Sequence, residues 1–209
     1  MVLGTVCTVN AFSDGTAVLY DELFMRLHDI ENKFSVNVSE SEISAVNAAA
    51  GKHAVKVTPD VLYVIKTALE YAQLTDGAFD PTVGPLVKLW GINTENAHVP
   101  SPQEIKNMLP LVNWRNVKIS GEEVFLTQKN MALDLGGIAK GYAADELAAI
   151  LKKNNVKRAV IDLGGNIYVY GQKKDKSLWK VGIKNPADPE GDPAVVLNIA
   201  EGTVVKSGV

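Results

Sequence analysis

Three glycine-containing segments hold the residues with the clearest chemical possibilities. In ALDLGGIAKGYAAD, residues 132–145, an apolar stretch carries Asp134, a glycine pair follows at Gly136-Gly137, and a helical pattern begins. A junction from strand to helix offers unbonded backbone N–H groups and the positive end of a helix dipole to an anion. Lys140 stands in the predicted first turn of that helix, where the dipole favours acids, and a bound phosphate would rationalise it. The spacing from Gly136 to Gly141 is G-x-x-x-x-G, but Tyr142 replaces the lysine of a P-loop and G-x-G-x-x-G is absent. A tight turn without a ligand explains the same residues.

The second segment, DGAFDPTVGPLVKLWG at residues 76–91, reads as a loop dense in glycine and proline with Phe79 and Trp90 near its ends. Such a loop holds backbone groups and rings in fixed positions that a planar ligand can use; the competing reading makes both rings core anchors. The third, Leu163-Gly164-Gly165-Asn166, is a strand end where missing side chains allow close backbone approach, or only a bulge.

The elements that must position these residues follow from periodicity. Residues 2–12 read as an opening strand. Leu19, Leu23, Leu27, Ile30 and Phe34 recur at helical spacing and predict an amphipathic helix over 16–34. Ser39-Glu40-Ser41-Glu42 has the form of a capping box and predicts a short helix over 41–48. Thr58-Pro59 starts a further helix carrying Leu62, Ile65, Leu69 and Ala72 and stopping near Asp76-Gly77. Ser101-Pro102-Gln103-Glu104 repeats the start signal for a helix that ends before Pro110. Residues 116–120 and 124–127 form a hairpin pattern, 131–135 reads as a third strand, and 139–153 as a helix with Ala143, Leu147, Ile150 and Leu151 inward. Segments 158–163, 167–170, 179–183 and 195–199 make the second half rich in strands, and the chain ends on an apolar strand pattern running into Ser207-Gly208.

Helices concentrated between residues 16 and 109 and strands grouped later argue for an α+β fold of helices packed on largely antiparallel sheet, in one domain, rather than a doubly wound sheet. The 209 residues are 46% hydrophobic and 22% charged, enough to bury a core and unlike a disordered chain. With 21 Lys+Arg against 24 Asp+Glu there is no basic excess that would suggest nucleic acid. Apolar runs stay far below the roughly 20 residues of a bilayer span. Cys7, the single cysteine, can form neither an intramolecular disulfide nor a cysteine-based zinc cluster.

Taken together, these segments resemble the ApbE-type flavin transferase family, the FAD:protein FMN transferases, in unbroken order along the chain. The resemblance rests on Gly4-Thr5-Val6, the block at 76–91, the block at 132–145 and Gly164-Gly165-Asn166. It implies a Mg-dependent enzyme that moves the FMN half of FAD onto a threonine or serine hydroxyl of a target flavoprotein and releases AMP. An FAD-binding or FAD diphosphatase module without transfer is the alternative. By resemblance, Ala78, Phe79, Asp80, Asp134 and Lys140 are FAD-binding positions and Gly137 offers a backbone carbonyl to the metal. Mg suits such oxygen ligands and can neutralise charge on a diphosphate. Asp134 would repel a bare diphosphate and is expected to face a hydroxyl, a ring N–H or the metal region.

Two positions depart from the family pattern: Leu3 stands where methionine precedes the opening glycine, and Asn37 stands where a tyrosine meets the flavin. The family's later histidine-containing stretch and its last Asp and Thr metal ligands have no counterpart before Val209, so the chain is expected to be truncated and its catalytic residues stay unassigned. His28, His53 and His98 fall in unrelated segments. The resemblance also implies an extracytoplasmic parent protein, membrane-anchored lipoproteins being frequent in the family, although no signal is visible here.

Overall fold

The computed structural model describes residues 1–92, 94–188 and 191–206, so the turn expected at Ser207-Gly208 lies outside the described residues. The fold is α+β, and every pairing between its named strands is antiparallel. The chain divides into two compact units, one of residues 1–29 with 140–209 and the other of residues 30–139.

The first unit contains a sheet of β1 (Cys7–Asn10), β5 (Arg158–Leu163), β6 (Asn166–Gly171) and β9 (Gly202–Val205) in the order β1-β5-β6-β9, beside a hairpin of β7 (Trp179–Ile183) and β8 (Val195–Ile199). Alternation along β5 buries Ala159, Ile161 and Leu163 on one face, as a half-buried strand requires. Val169, Trp179 and Val181 form a smaller core with Val160, Ile167, Ile199 and Val204 around it. The opening strand is shorter than the sequence pattern: residues 2–5 close a tight turn on a Val2–Thr5 bridge with Leu3 and Gly4 at φ 55° and 68°, and Phe12 turns into a 3-10 helix over Phe12–Asp14 that takes the chain out of the sheet. Helix α1 (Ala17–Phe34) begins in this unit, and α6 (Gly136–Lys153) ends in it. Lys153 pairs with Glu22 at 2.8 Å and Arg26 with Glu146 at 2.8 Å, while Tyr142 Oη accepts from the same guanidinium. The whole α1 stripe of Leu19, Leu23, Leu27, Ile30 and Phe34 is buried as its spacing predicts, each such residue contributing about 1.5–3 kcal/mol.

The second unit holds α2 (Glu42–Ala48), α3 (Pro59–Leu74), α4 (Gly84–Trp90) and α5 (Pro102–Met108) with a sheet ordered β2-β4-β3. Here β3 (Val117–Ser120) and β4 (Glu123–Leu126) are the predicted hairpin, and the unpredicted β2 (Val55–Lys56) adds at the β4 edge. The capping box at Ser101 forms as expected: its hydroxyl accepts from Glu104 N, and the Glu104 carboxylate accepts from Ser101 N at 2.8 Å. The one expected at Ser39 does not. Ser41 caps α2 instead, accepting from Ser44 N at 3.0 Å, and Glu42 turns away to accept from Thr58 N and the Thr58 hydroxyl, tying the starts of α2 and α3 together. The buried stripe of α3 is Val61, Val64, Ile65, Ala68 and Ala72, so Leu62 and Leu69 lie at its margins.

Three further expectations change. Residues 84–90 form helix α4 within the expected loop, with Pro85 in its first turn and Gly91 in the left-handed region at φ 62° as its stop. Residues 131–135 are not a strand: a single parallel bridge joins Val83 to Ala132, and side-chain and loop partners satisfy the backbone that a neighbouring strand would otherwise satisfy. Helix α6 starts at Gly136 rather than Ala139, which puts Lys140 beyond its first turn.

Candidate functional site

In the second unit the blocks at 76–91 and 132–137 are brought side by side. Helix α3 ends with Asp76 and Gly77 at φ 48° and 85°, and Gly77 N donates back to Ala72 O at 2.8 Å. Glycine adopts this left-handed region without the Cβ penalty. Phe79 follows, its N–H donating to the Thr75 hydroxyl at 3.0 Å. Asp80-Pro81-Thr82 then makes a tight turn in which Asp80 Oδ1 accepts from Thr82 N at 2.8 Å and from Thr82 Oγ1 at 2.6 Å. The other carboxylate oxygen, Oδ2, accepts from Trp114 N at 3.0 Å, and Thr82 Oγ1 accepts from Asn113 N at 2.8 Å. Both oxygens of Asp80 are therefore engaged by its own fold, and Thr82 is fully buried.

This turn is joined directly to the glycine junction. Pro81 O accepts from Asp134 N at 2.8 Å. A Cβ on Gly84 would stand 2.7 Å from Ala132 O, and one on Gly137 would stand 3.1 Å from Phe79 Cε2. At Gly84 only glycine lets the two segments approach this closely, and at Gly137 a side chain would require the Phe79 ring to give way. On the far side of the junction, the Asn47 side-chain amide accepts from Leu133 N at 2.7 Å and donates to Leu133 O at 3.0 Å. Asp134 Oδ1 accepts from Gly136 N at 2.8 Å, so the carboxylate faces a backbone N–H at the start of α6, where a negative charge is favoured. Gly137, exposed and second in the helix, has no hydrogen-bond partner for its N–H among the described residues. That donor is available to a phosphate oxygen.

Phe79 is half-buried and Trp90 is 38% exposed, so neither ring is a buried core anchor. Ala78 is exposed on the same loop. Asn37 is exposed in the segment after α1, where its N–H donates to the Ser35 hydroxyl at 3.2 Å; no described bond joins it to the other site residues.

In the first unit, the opening motif and the third glycine segment meet. Cys7 is paired with Leu163 in the β1–β5 register, and a Cβ on Gly164, at φ 67°, would overlap the Thr5 side chain. Asp162 Oδ1 accepts from Gly165 N at 2.9 Å. Asn166 is buried, and its Oδ1 has no partner among the described residues. Lys140 belongs to this unit and makes no ion pair or hydrogen bond among the described residues. Burial pushes the Cys7 thiol above its ordinary value, opposed in part by its bond to Val2 O and by the charge of Lys140, while Asp162 raises it further.

In the second unit, a free backbone donor at a glycine-opened helix start has an aromatic ring against it, an arrangement that can hold an anion beside a planar group; in the first unit, Lys140 has no described partner and Asn166 Oδ1 is an orphaned buried acceptor. They do not make a magnesium site by themselves. Among the described residues no group of three or more His, Cys, Asp and Glu side chains is placed to hold a metal. Asn47, Thr82 and the backbone at 113–114 escaped the sequence reading. The Asp80-Pro81-Thr82 turn carries a readable signal for Thr82, whereas Asn47 reaches Leu133 across 86 positions with none.

In this α+β chain the glycine junction and the aromatic loop of the second unit are held together in this way. A model of the ApbE family matches residues 3–209, and the chain belongs to that family. It is 34% identical over 227 residues to an FAD:protein FMN transferase of Treponema pallidum, covering 100% of this chain and 63% of the relative. It is 34% identical over 210 residues to one of Klebsiella pneumoniae, covering 100% and 64%. The chain thus spans less than two thirds of the length of these relatives. Its fold is similar to a crystal structure of the ApbE protein of Thermotoga maritima, with TM-score 0.86, 31% identity and coverage of 97% of this chain and 67% of that one. It is also similar to flavin transferase ApbE of Vibrio cholerae, with TM-score 0.88, 25% identity and coverage of 100% and 70%. No helix among the described residues is long and apolar enough to cross a membrane.

Proposed function

We propose that this chain carries the FAD platform of an FAD:protein FMN transferase. The observation that supports this most directly is the seating of Phe79 against Gly137, with a free Gly137 N–H at the start of α6 and the Asp80 turn bonded to Asp134. FAD is the substrate. In the proposed transfer, a threonine or serine hydroxyl of an acceptor flavoprotein attacks the phosphorus on the FMN side of the diphosphate. The new bond is a phosphoester from that oxygen to FMN, the P–O bond to AMP breaks, and the hydroxyl proton departs to a base. AMP leaves as the anion, stabilised by positive groups such as Lys140 and the N–H donors of α6.

Magnesium belongs to the same proposal through the family resemblance, which offers it the backbone carbonyl of Gly137. So does an extracytoplasmic location for the whole protein. The second reading, an FAD-binding or FAD diphosphatase module, uses the same residues and differs in whether water, a hydroxyl or nothing attacks.

Calorimetric titration of the chain with FAD, FMN and AMP, each with and without Mg, tests the platform. Binding of FAD at least about tenfold tighter than either half supports a site that reads both parts of the dinucleotide. Equal affinity for FAD and AMP, or no heat with FAD at millimolar concentration, would count against it.

A further inference from the structure

A concavity lies in the first unit, on residues unconnected with the glycine segments. It is about 530 Å³ in volume and lined by Phe12, Arg158, Lys173, Lys174, Asp175 and Trp179. Its floor is aromatic: the exposed Phe12 ring lies over Trp179, which is 7% exposed in the core beneath, with centroids 5.8 Å apart and tilted by 36°. Its rim is cationic, with Arg158 Cζ 5.8 Å from the Phe12 ring centroid and Lys173 Nζ 5.4 Å from that of Trp179.

Two properties of this groove bear on what it binds. The first is the backbone of Phe12, which is at φ 51° and 45% exposed. A bulky residue in the left-handed region is strained, and such strain persists where the surroundings or a function require it. The turn from β1 into the 3-10 helix, where Phe12 N donates to Asn10 Oδ1 at 2.8 Å, sets this backbone and leaves the side chain at the surface. The second is charge. Three of the residues lining the groove, Arg158, Lys173 and Lys174, are cations in a chain whose formal net charge is -3. None of Arg158, Lys173 and Lys174 forms an ion pair among the described residues. The one carboxylate in the groove, Asp175, is engaged by its own turn, accepting from Ser177 N at 3.0 Å and Ser177 Oγ at 2.8 Å.

We propose that this groove docks an acidic polypeptide segment that carries an aromatic side chain. The cations are strung along two chain segments, each over its own ring, rather than gathered on one point as a single phosphate would require. An extended acidic chain satisfies such a row, and an aromatic side chain among its carboxylates covers the exposed part of the Phe12 ring. The inference involves no flavin, so its failure would leave the FAD platform untouched.

The test is fluorescence anisotropy of two labelled probes, poly-glutamate and a random glutamate–tyrosine copolymer, titrated with the chain at low and moderate salt. The copolymer should bind at least about tenfold tighter than poly-glutamate, with affinity that falls as salt rises. Phe12→Asn removes the ring and places a residue that tolerates positive φ; it should abolish the preference for the copolymer. Lys173→Glu with Lys174→Glu, on the turn after β6, should weaken both probes at least about tenfold and carries the test if the Phe12 variant fails to fold. Equal binding of the two probes, indifference to either variant, displacement of the copolymer by micromolar ATP, or tighter binding to phosphatidylglycerol vesicles than to the copolymer would each overturn the proposal.

Discussion

Asp80 is the residue where a scaffold role and a ligand role make opposite predictions. Its carboxylate accepts at both oxygens: two bonds from Thr82 at one and Trp114 N at the other. Asparagine can present only one acceptor oxygen. If that oxygen keeps the Thr82 bonds, the amide NH2 faces the Trp114 N–H and leaves a donor unmet, at a cost of about 1–3 kcal/mol. The retained bonds also lose their charge assistance, roughly half their strength. Asp80→Asn is therefore expected to destabilise by about 2–4 kcal/mol, lowering Tm by roughly 5–12 °C in a chain of this size. Calorimetry and FAD titration would be run on the same preparation, with backbone amide exchange at Thr82 and Trp114 reporting the lost bonds. A Tm within about 1 °C of the parent together with a large loss of FAD affinity would refute the reasoning, because the carboxylate would then be reaching the ligand and not the turn.

Asn47→Ala removes both bonds to the backbone of Leu133, whose side chain is fully buried. The expected loss is about 2–4 kcal/mol, with weakened amide protection at Leu133 as the specific readout; unchanged protection there would contradict it. Lys140→Ala should leave Tm unchanged, since the side chain has no described partner, and should weaken FAD at least about tenfold with little effect on FMN lacking the AMP half. Glu104 offers a prediction in pH. Its carboxyl is held below its ordinary value of 4.5, first by the Ser101 hydroxyl and then by Ser101 N–H. A carboxyl lowered in the folded state contributes stability above its ordinary value, and that contribution is lost as pH falls through the lowered one. Protection of the Ser101 amide should therefore drop on acidification below 4.5, and Glu104→Gln should keep the cap without that dependence.

Local physics was written plainly in the amino-acid order. The α1 stripe, the Ser101 capping box, the β3–β4 hairpin and the strands β7 and β8 each depend on neighbours within a few residues, so periodicity and capping chemistry suffice to read them. The glycine blocks were equally legible as special, because close approach and helix-start chemistry need those residue types. Helix α4 was legible in principle, from Pro85 in its first turn and Gly91 at its stop, although the density of glycine and proline suggested a loop.

What only the tertiary structure decided were partners far apart in sequence. Residues 131–135 look like a strand, yet Asn47 and Pro81 take up the backbone groups that a neighbouring strand would pair. Glu42 looks like half of a capping box but turns to Thr58, 16 positions away. Asp80 matches an FAD-binding position of the family, and its oxygens also accept from Thr82 and from Trp114, 34 positions on. A side-chain acceptor goes to the donor that folding brings nearest, and periodicity carries no information about which distant donor that is.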